Sequence, residues 1–455
     1  MKSKKFTKSM LVIAVPIMIQ SLITASVNLI DTVMIGKLGE KSIASLGITN
    51  QYFMLYSILV IGLYTGVGVL ISQYWGKNNQ EKIKDFTSLQ IKLGFALSVF
   101  FALIGYFYPR QIVGLFSSDG EVIRLGASYL RIVIVGYIPF AVAGGYGVAS
   151  RSIGNTVIPM MASLVAVFVN VILNYGLIYG NLGMPMMGVR GAALATSIAR
   201  IIEMLVVIIA VYSSKNVLAI KLPKLLVFDK QAFKQASGPM SQVVLNDLCW
   251  VLGMMIYTML YGRIGTGAIA SIQIMTTVQQ MFMIAIIAVS SAACVMIGKL
   301  VGENDYDTAK ELSWYFLRVV LFITVAIAVA VYAGVNVILM VFTLSPEVYS
   351  AARALLILSA FIMPVRGLAI LYIIGILRGG GDAKGALKIE LFTMWLIGVP
   401  LCYIGSIILQ WPVEYVYIMV ATEEFAKLIL SFVRFKKGDW IRNFTEVDEA
   451  VDLSL

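Results

Sequence analysis

The sequence contains no histidine and few charged residues. Only 13% of its 455 residues are charged, and its three cysteines, Cys249, Cys294 and Cys402, lie in separate apolar stretches without CxxC spacing. Histidine is the side chain best suited to relay protons near neutral pH and the commonest metal ligand, so its absence excludes histidine-based catalysis and histidine metal sites. The isolated cysteines argue against a disulfide framework or a zinc centre. We therefore expect neither an enzyme nor a protein with a bound cofactor.

Apolar residues are abundant instead. They make up 60% of the chain, and mean hydropathy is +0.90, whereas soluble domains are about half apolar and about a quarter charged. A membrane-spanning helix needs about 20 mostly apolar residues, and the apolar stretches of this chain end at clusters of glycine, proline and charge. The sequence predicts an all-α polytopic membrane protein with twelve transmembrane helices.

The first predicted span begins within the basic N-terminus and runs to about Ile35. Because it continues past Pro16 and lacks a small-residue cleavage site, we expect it to be retained rather than removed as a signal peptide. The other eleven spans are predicted near 44–74, 88–108, 122–148, 156–180, 188–212, 232–260, 268–298, 312–340, 348–376, 386–410 and 412–436.

The distribution of basic residues predicts the orientation of these spans. With the N-terminus inside, the inner segments hold 22 lysines and arginines and the outer segments hold 7. Cytoplasmic loops of membrane proteins collect positive charge, so both termini are predicted to be cytoplasmic, most simply at a bacterial cytoplasmic membrane. The net charge of +11 is thereby explained without a nucleic-acid partner.

The two halves of the chain resemble each other at a shift of about 226 residues. The matching segments are Gly36–Gly39 with Gly262–Gly265, Ile43–Ser45 with Ile269–Ser271, Gly76–Asn78 with Gly302–Asn304, and Arg151–Asn155 with Arg378–Asp382. Six helices in each half return the chain to its starting side, so the repeats are parallel and related by a pseudo-two-fold axis along the membrane normal. We predict an N-terminal six-helix lobe at 1–214, a cytoplasmic linker at 215–234, a C-terminal lobe at 235–437 and a cytoplasmic tail at 438–455.

Polar residues inside the first-half spans suggest an ion site. A charged or amide side chain in a membrane span costs a few kcal/mol and normally faces a cavity or a partner. Oxygens of Asp31, Asn170, Asn174 and Thr196 are of the type that surrounds a hard cation such as Na⁺. A desolvated carboxyl at Asp31 would instead carry a proton. We assign these four residues to cation coupling, the alternative being that Asp31 only caps or pairs its helix.

The second half offers a separate candidate site. Asp247 lies in the middle of its predicted span, and Gln51 and Gln273 lie on spans two and eight. A carboxylate facing a cavity attracts organic cations, so these residues are predicted to form a substrate site or a second coupling site. The alternative is a local bond between Asp247 and Asn246 or a neighbouring helix.

Other charged residues in the spans are interpreted as structural. Arg200 and Glu203, three residues apart, are expected to form an ion pair on one helix face. Glu423, Glu424 and Lys427 are expected to form a similar cluster.

Three features near the predicted cytoplasmic side of the membrane are not predicted to bind a ligand. Glu390 is expected to be exposed to water near the inner end of its span. The sequence RGGGD at Arg378–Asp382 lacks the spacing of a phosphate-binding loop, so ATP-driven transport is not expected. The tail after Trp440 is expected to be a mobile cytoplasmic end.

Several stretches resemble the multidrug and toxic compound extrusion (MATE) transporters of the multidrug/oligosaccharidyl-lipid/polysaccharide exporter superfamily. The resemblance covers nearly the whole chain in the expected order. It implies a V-shaped pair of six-helix lobes that export amphipathic, often cationic compounds in exchange for sodium or protons by alternating access. The stretches are NLIDTVMIGKLGEKSIASLG from Asn28, RSIGNTVIP from Arg151, LNYGLIYG from Leu173, GVRGAALAT from Gly188, NDLCWVLGMMIYTMLYGRIGTGAIAS from Asn246 and GILRGGGDAK from Gly375.

The resemblance also carries residue roles. In one branch of the family a first-lobe site uses an Asp on helix one with an Asn, a second Asp and a Thr on helices five and six; Asp31, Asn170 and Thr196 match it, but Asn174 replaces the second acid. In the other branch a carboxylate on helix seven pairs with an Asp on helix ten; Asp247 matches the first, and the tenth span offers no acid.

The sequence is compatible with three classes of function. The leading one is a cation-coupled efflux antiporter for a small organic cation. A lipid-linked saccharide flippase of the same superfamily is the alternative, and it would need Arg131, Arg200 or Arg366 to face the cavity and bind a pyrophosphate. A membrane enzyme would have to rely on carboxylates alone.

Overall fold

The computed structural model describes residues 2–214, 216–342 and 344–446. Lys215 of the predicted linker and positions 447–455 of the predicted tail lie outside the described residues, as does the side chain of Asn28. The described chain folds into helices. Twelve are long: α1 Lys2–Gly36, α2 Glu40–Gly76, α3 Gln80–Phe107, α4 Gly120–Ser152, α5 Val157–Tyr179, α6 Val189–Ser213, α7 Lys230–Ile264, α8 Thr266–Gly302, α9 Tyr306–Leu339, α10 Pro346–Leu377, α11 Ala383–Ile408 and α12 Val413–Lys437.

Eleven of these helices, α1 to α11, are long and apolar enough to cross a membrane. Helix α12 has 25 residues, as α6 does, but it carries several charges within its length. The predicted fold class, an all-α protein of twelve spans, is confirmed. The predicted span centres hold, while α3 and α9 begin several residues earlier than predicted because their polar first turns are capped by Asn79 and Asp305.

The helices form two compact units. One contains Val15–Met240, and the other contains Ser241–Leu455 together with Met1–Ala14. We call Val15–Met240 the first unit and the other the second unit. The N-terminal residues contact the rest of the second unit at Tyr315 of α9. The hydroxyl groups of Thr7 and Tyr315 form a 2.8 Å hydrogen bond, and the Phe6 ring packs against the Tyr315 ring. The division into two compact units does not test the predicted limits of the linker, which stay predictions.

The core of the first unit is built around buried tyrosines. The rings of Tyr56 (α2) and Tyr137 (α4) stack at 4.5 Å, and the Tyr56 hydroxyl donates to the Tyr137 carbonyl oxygen at 2.8 Å. The Tyr64 hydroxyl donates to the carbonyl oxygen of Ala141, also on α4. A buried hydroxyl without a partner would cost a few kcal/mol, so these bonds fix how α2 and α4 pack.

Helices α10 and α11 contain wider π-helical turns, at Leu371–Leu377 in α10 and at Met394–Gly398 and Ile404–Ile408 in α11. Pro400 lies between the two turns of α11 and has no backbone N–H to donate to the preceding turn. A π-turn re-pairs the backbone at such a place, and such turns are frequent at functional sites.

The chain after α12 folds back onto the α10–α11 loop, so the prediction of a mobile tail is wrong for its described part. Trp440 is fully buried against Gly380, where a β-carbon would collide with its ring. The Arg442 amide donates to the Gly380 carbonyl oxygen at 2.7 Å. Buried Asp382 pairs with Arg434 and, at 3.3 Å, with Arg442. The glycines of RGGGD therefore admit the returning chain.

Candidate functional site

Three helices of the first unit bring the four predicted cation-coupling residues together. Asn170 and Asn174 lie one turn apart on α5, so their amides share a face. The Asn174 Nδ2 donates to Asp31 Oδ1 of α1 at 2.5 Å and to Asn170 Oδ1 at 3.1 Å. The Asn170 Nδ2 lies 3.5 Å from Thr196 Oγ1 of α6. This chain of contacts is the Asp31 cluster.

The Asp31 cluster borders a cavity inside the first unit. The cavity holds about 100 Å³, and its wall includes Asp31, Asn170, Thr196, Tyr129 and Arg200. A pocket for a drug-sized ligand is about 300–1,000 Å³, whereas one water needs only about 10–15 Å³ of such space. The cavity therefore suits a cation with a few waters and is too small for an amphipathic drug.

The predicted ion pair of Arg200 and Glu203 is present at 2.8 Å and lines the same cavity. The Ser163 hydroxyl donates to the other Glu203 oxygen at 2.8 Å, and the Gln20 amide donates to Ser163 at 2.9 Å. Arg151 in turn donates to the Gln20 oxygen at 3.1 Å. Sequence reasoning missed Gln20 and Ser163; the available signal was an isolated amide in the apolar run of α1.

The acceptors of the Asp31 cluster outnumber its donors. The Asn174 amide nitrogen already donates twice, and among the described residues its buried Oδ1 has no hydrogen-bond partner. Of the charged groups along this polar chain, Asp31 and Glu203 are negative, and Arg200 and Arg151 are positive. A site with balanced charges and a surplus of oxygen acceptors is chemically suited to a hard monovalent cation.

The second predicted site is not assembled in the same way. The Arg378 guanidinium donates to Asp247 Oδ1 at 2.6 Å, so Asp247 has a positive partner at the end of α10. Gln273 is exposed and bonds to Thr276 of its own helix, while Gln51 is exposed on α2 of the first unit. Sequence reasoning missed Arg378 because it lies 131 residues from Asp247.

The arginines considered for the flippase alternative are not gathered at one site, and Arg200, which lines the cavity of the Asp31 cluster, is paired with Glu203. Arg366 of α10 donates to Glu424 of α12 at 2.9 Å and to Gln279 of α8 at 2.8 Å, so it packs between helices. Arg131 is exposed on α4, and Arg200 is paired with Glu203. The structure does not favour a pyrophosphate site at these residues.

The expectation for Glu390 is wrong. Its side chain is only 4% exposed and pairs with Lys427 of α12 at 2.9 Å. The prediction failed because a position near a helix end was assumed to meet water, whereas α12 covers it.

The fold, the internal repeat and the intramembrane polar residues together define a membrane transporter. A family model for MatE matches the chain twice, at residues 16–176 and again at 243–404, 227 positions later. The chain belongs to the MatE family. The second match begins at the shift found in the sequence, which confirms the repeat.

Curated relatives cover most of the chain. The "Uncharacterized transporter YisQ" of Bacillus subtilis is 25% identical over 90% of each chain. The "Probable multidrug resistance protein NorM" of Mannheimia succiniciproducens is 25% identical over 88% of this chain and 86% of its own. The Vibrio cholerae MATE transporter VcmN in its bent form is 21% identical, with a TM-score of 0.87 over 97% of this chain and 99% of that one. This last likeness shows the fold.

Proposed function

We propose that the protein is a secondary active efflux transporter that exchanges amphipathic, cationic drugs or metabolites for Na⁺ or H⁺ by alternating access. The observation that carries the proposal is the Asp31 cluster, an acceptor-rich cavity of ion size within one six-helix half. Relatives named as multidrug resistance proteins support the substrate class. The basic inner loops and the bacterial relatives support a bacterial cytoplasmic membrane with both termini inside.

Sodium is the coupling ion that the geometry supports better. A proton would need only the Asp31 carboxyl and one acceptor for its O–H, whereas a cation shell can use oxygens of Asn170, Thr196 and Asn174 together. Binding must differ between two facing states if it is to drive transport. In the proposed cycle, sodium from outside enters the Asp31 cluster and favours the state that releases the drug.

The test is transport by the purified protein in liposomes. Ethidium movement is followed under an imposed sodium gradient and then under a proton gradient, for the wild type, Asp31→Asn and Asp247→Asn. Sodium-driven movement that Asp31→Asn abolishes and Asp247→Asn retains is the expected result. Movement driven only by protons would assign the coupling ion to H⁺. If neither gradient moves ethidium or other organic cations, the proposal is wrong, and labelled lipid-linked sugars are the next substrates to test.

A further inference from the structure

A buried ion cluster in the second unit contains none of the residues of the two predicted sites. The Lys427 Nζ is 2.9 Å from Glu390 Oε1 of α11 and 2.9 Å from Glu423 Oε1 of its own helix. The three side chains are at most 7% exposed. We call these three residues the Lys427 triad. Their depth distinguishes them from surface ion pairs, which contribute little.

Tyr257 contacts one carboxylate of the triad, and Gly398 leaves space for this contact. The Tyr257 hydroxyl of α7 donates to Glu423 Oε2 at 2.5 Å. Gly398, at the end of an α11 π-turn, leaves room for this contact, because a β-carbon there would collide with both groups. Glu423 thus accepts a hydrogen bond from Tyr257 and pairs with the Lys427 ammonium group. Donors to a carboxylate favour its charged form.

The charges around the triad do not balance. Within the described residues of this cluster, Glu390, Glu423 and Glu424 face two cations, Lys427 and Arg366, and Arg366 is paired with Glu424 at 2.9 Å. The other titratable groups nearby are neutral at pH 7 in their ordinary state. A net negative charge buried in a membrane helix bundle costs several kcal/mol unless it is compensated. The neutral titratable groups near the triad are the phenols of Tyr257, Tyr261 and Tyr417 and the thiols of Cys249 and Cys402.

A proton fits the missing charge better than a metal ion does. The ammonium group of Lys427 already occupies the space between the two carboxylates, where it would repel a sodium ion. Glu423 has two donors that stabilise its charged form, so the proton belongs on Glu390. It would arrive from water, form an O–H bond at the Glu390 carboxyl, and leave again to water.

The position of the cluster repeats that of the Asp31 cavity. Helices α6 and α12 each have 25 residues. Arg200 and Glu203 are the twelfth and fifteenth residues of α6, and Glu424 and Lys427 are the twelfth and fifteenth residues of α12. At the twelfth position α6 thus carries a positive residue and α12 a negative one, and at the fifteenth position the signs are exchanged. The first pair lines an ion-sized cavity, and the second contacts the surplus carboxylates.

From this geometry we propose that the Lys427 triad is a proton-binding site, with one exchangeable proton on Glu390. The second half of the chain then holds a cation site of its own, chemically different from the Asp31 cluster. That the proton exchanges during transport rests on the proposed antiport function, whereas its presence does not.

Infrared difference spectroscopy of the purified protein tests the site directly. Spectra are taken in the Asp31→Asn background, so that the carbonyl stretch of a protonated carboxyl does not arise from Asp31. We expect one such band at neutral pH that disappears reversibly as the pH is raised. Adding Glu390→Gln should remove it. Adding Asp247→Asn should leave it, because that carboxylate has Arg378 as its own partner.

A second variant guards against misfolding of the first. Removing the positive charge by Lys427→Met leaves two carboxylates without a cation, so both should take up protons and the band should roughly double. Absence of the band in the Asp31→Asn protein with the triad unaltered, or a band that survives Glu390→Gln, would overturn the inference. Loss of ethidium transport under both gradients with the band intact would contradict the proposed function and leave the proton site standing.

Discussion

Replacing Asp31 by Asn should abolish sodium binding without disturbing the local structure. The two side chains have the same shape, and an amide oxygen at position 31 can still accept the hydrogen bond from Asn174 Nδ2 that Asp31 accepts at 2.5 Å. What is lost is the negative charge beside the cavity. The nearby Arg200 keeps its partner Glu203 at 2.8 Å, so the substitution leaves the remaining ion pair intact.

The size of the loss follows from Coulomb's law. Two opposite charges about 4 Å apart in a partly buried site with an effective dielectric constant of about 20 attract by about 4 kcal/mol. Since about 1.4 kcal/mol corresponds to a factor of ten, the sodium Kd should rise about a thousandfold. At a sodium concentration of about 100 times the wild-type Kd, binding stabilises the protein by about 2.7 kcal/mol. The same concentration should stabilise Asp31→Asn by no more than about 0.1 kcal/mol.

The assay is the melting temperature of the detergent-purified protein in sodium chloride and in N-methylglucamine chloride at equal ionic strength, which separates binding from screening. A sodium-specific rise is expected for the wild type and for Asp247→Asn, but not for Asp31→Asn. An undiminished rise in Asp31→Asn would refute the assignment of the site. Absence of the rise in the wild type, with a pH-dependent melting temperature that Asp31→Asn removes, would identify the proton as the ligand.

Three further changes probe other parts of the structure. Asn174→Asp places a second carboxylate against Asp31; two such groups cannot both ionise without a cation, so sodium stabilisation should weaken as the pH falls, which a pH series of melting curves would show. Trp440→Ala removes a fully buried ring and should cost about 3–5 kcal/mol in chemical unfolding; a loss below about 1 kcal/mol would contradict the docked tail. Backbone N–H groups of Glu121 and Val122 hold the pKa of Asp119 below its usual value, so its stabilisation is present above the unfolded pKa and is lost as the pH falls through the lower folded value; Asp119→Asn should flatten that dependence in acid unfolding.

The sequence predicted the helices and the Asp31 cluster because both follow short, local rules. Apolar length gives the spans, and a spacing of four puts Asn170 and Asn174 on one face. Asp31 was grouped with these residues because all are polar side chains inside apolar spans; spacing cannot relate Asp31 to Asn174, which lies 143 positions away.

The partners of the second-half charges could not be predicted from spacing. Lys427 and Glu423 are one turn apart, but Glu390 and Tyr257 reach the same place from other helices, 37 and 166 positions away from their respective partners. The glycines did not predict these contacts. Gly398 and Gly380 are typical of membrane helices and loops, and only the structure shows that Tyr257 and Trp440 pack against them.

The two repeats keep the same helix positions but not the same electrostatics, and this has a consequence for coupling. Around Asp31 the arginines balance the acids, so any bound cation adds charge that the oxygen acceptors must solvate. Around Lys427 the acids exceed the cations, so a proton removes charge and needs no solvation shell. If the Lys427 triad holds a proton, Glu390→Gln should change the pH dependence of ethidium efflux while its sodium dependence stays that of the wild type. Asp31→Asn should remove the sodium dependence, and the efflux that a proton gradient still drives should keep the pH dependence of the wild type. Equal effects of the two substitutions on both dependences would show that the halves do not bind separate ions.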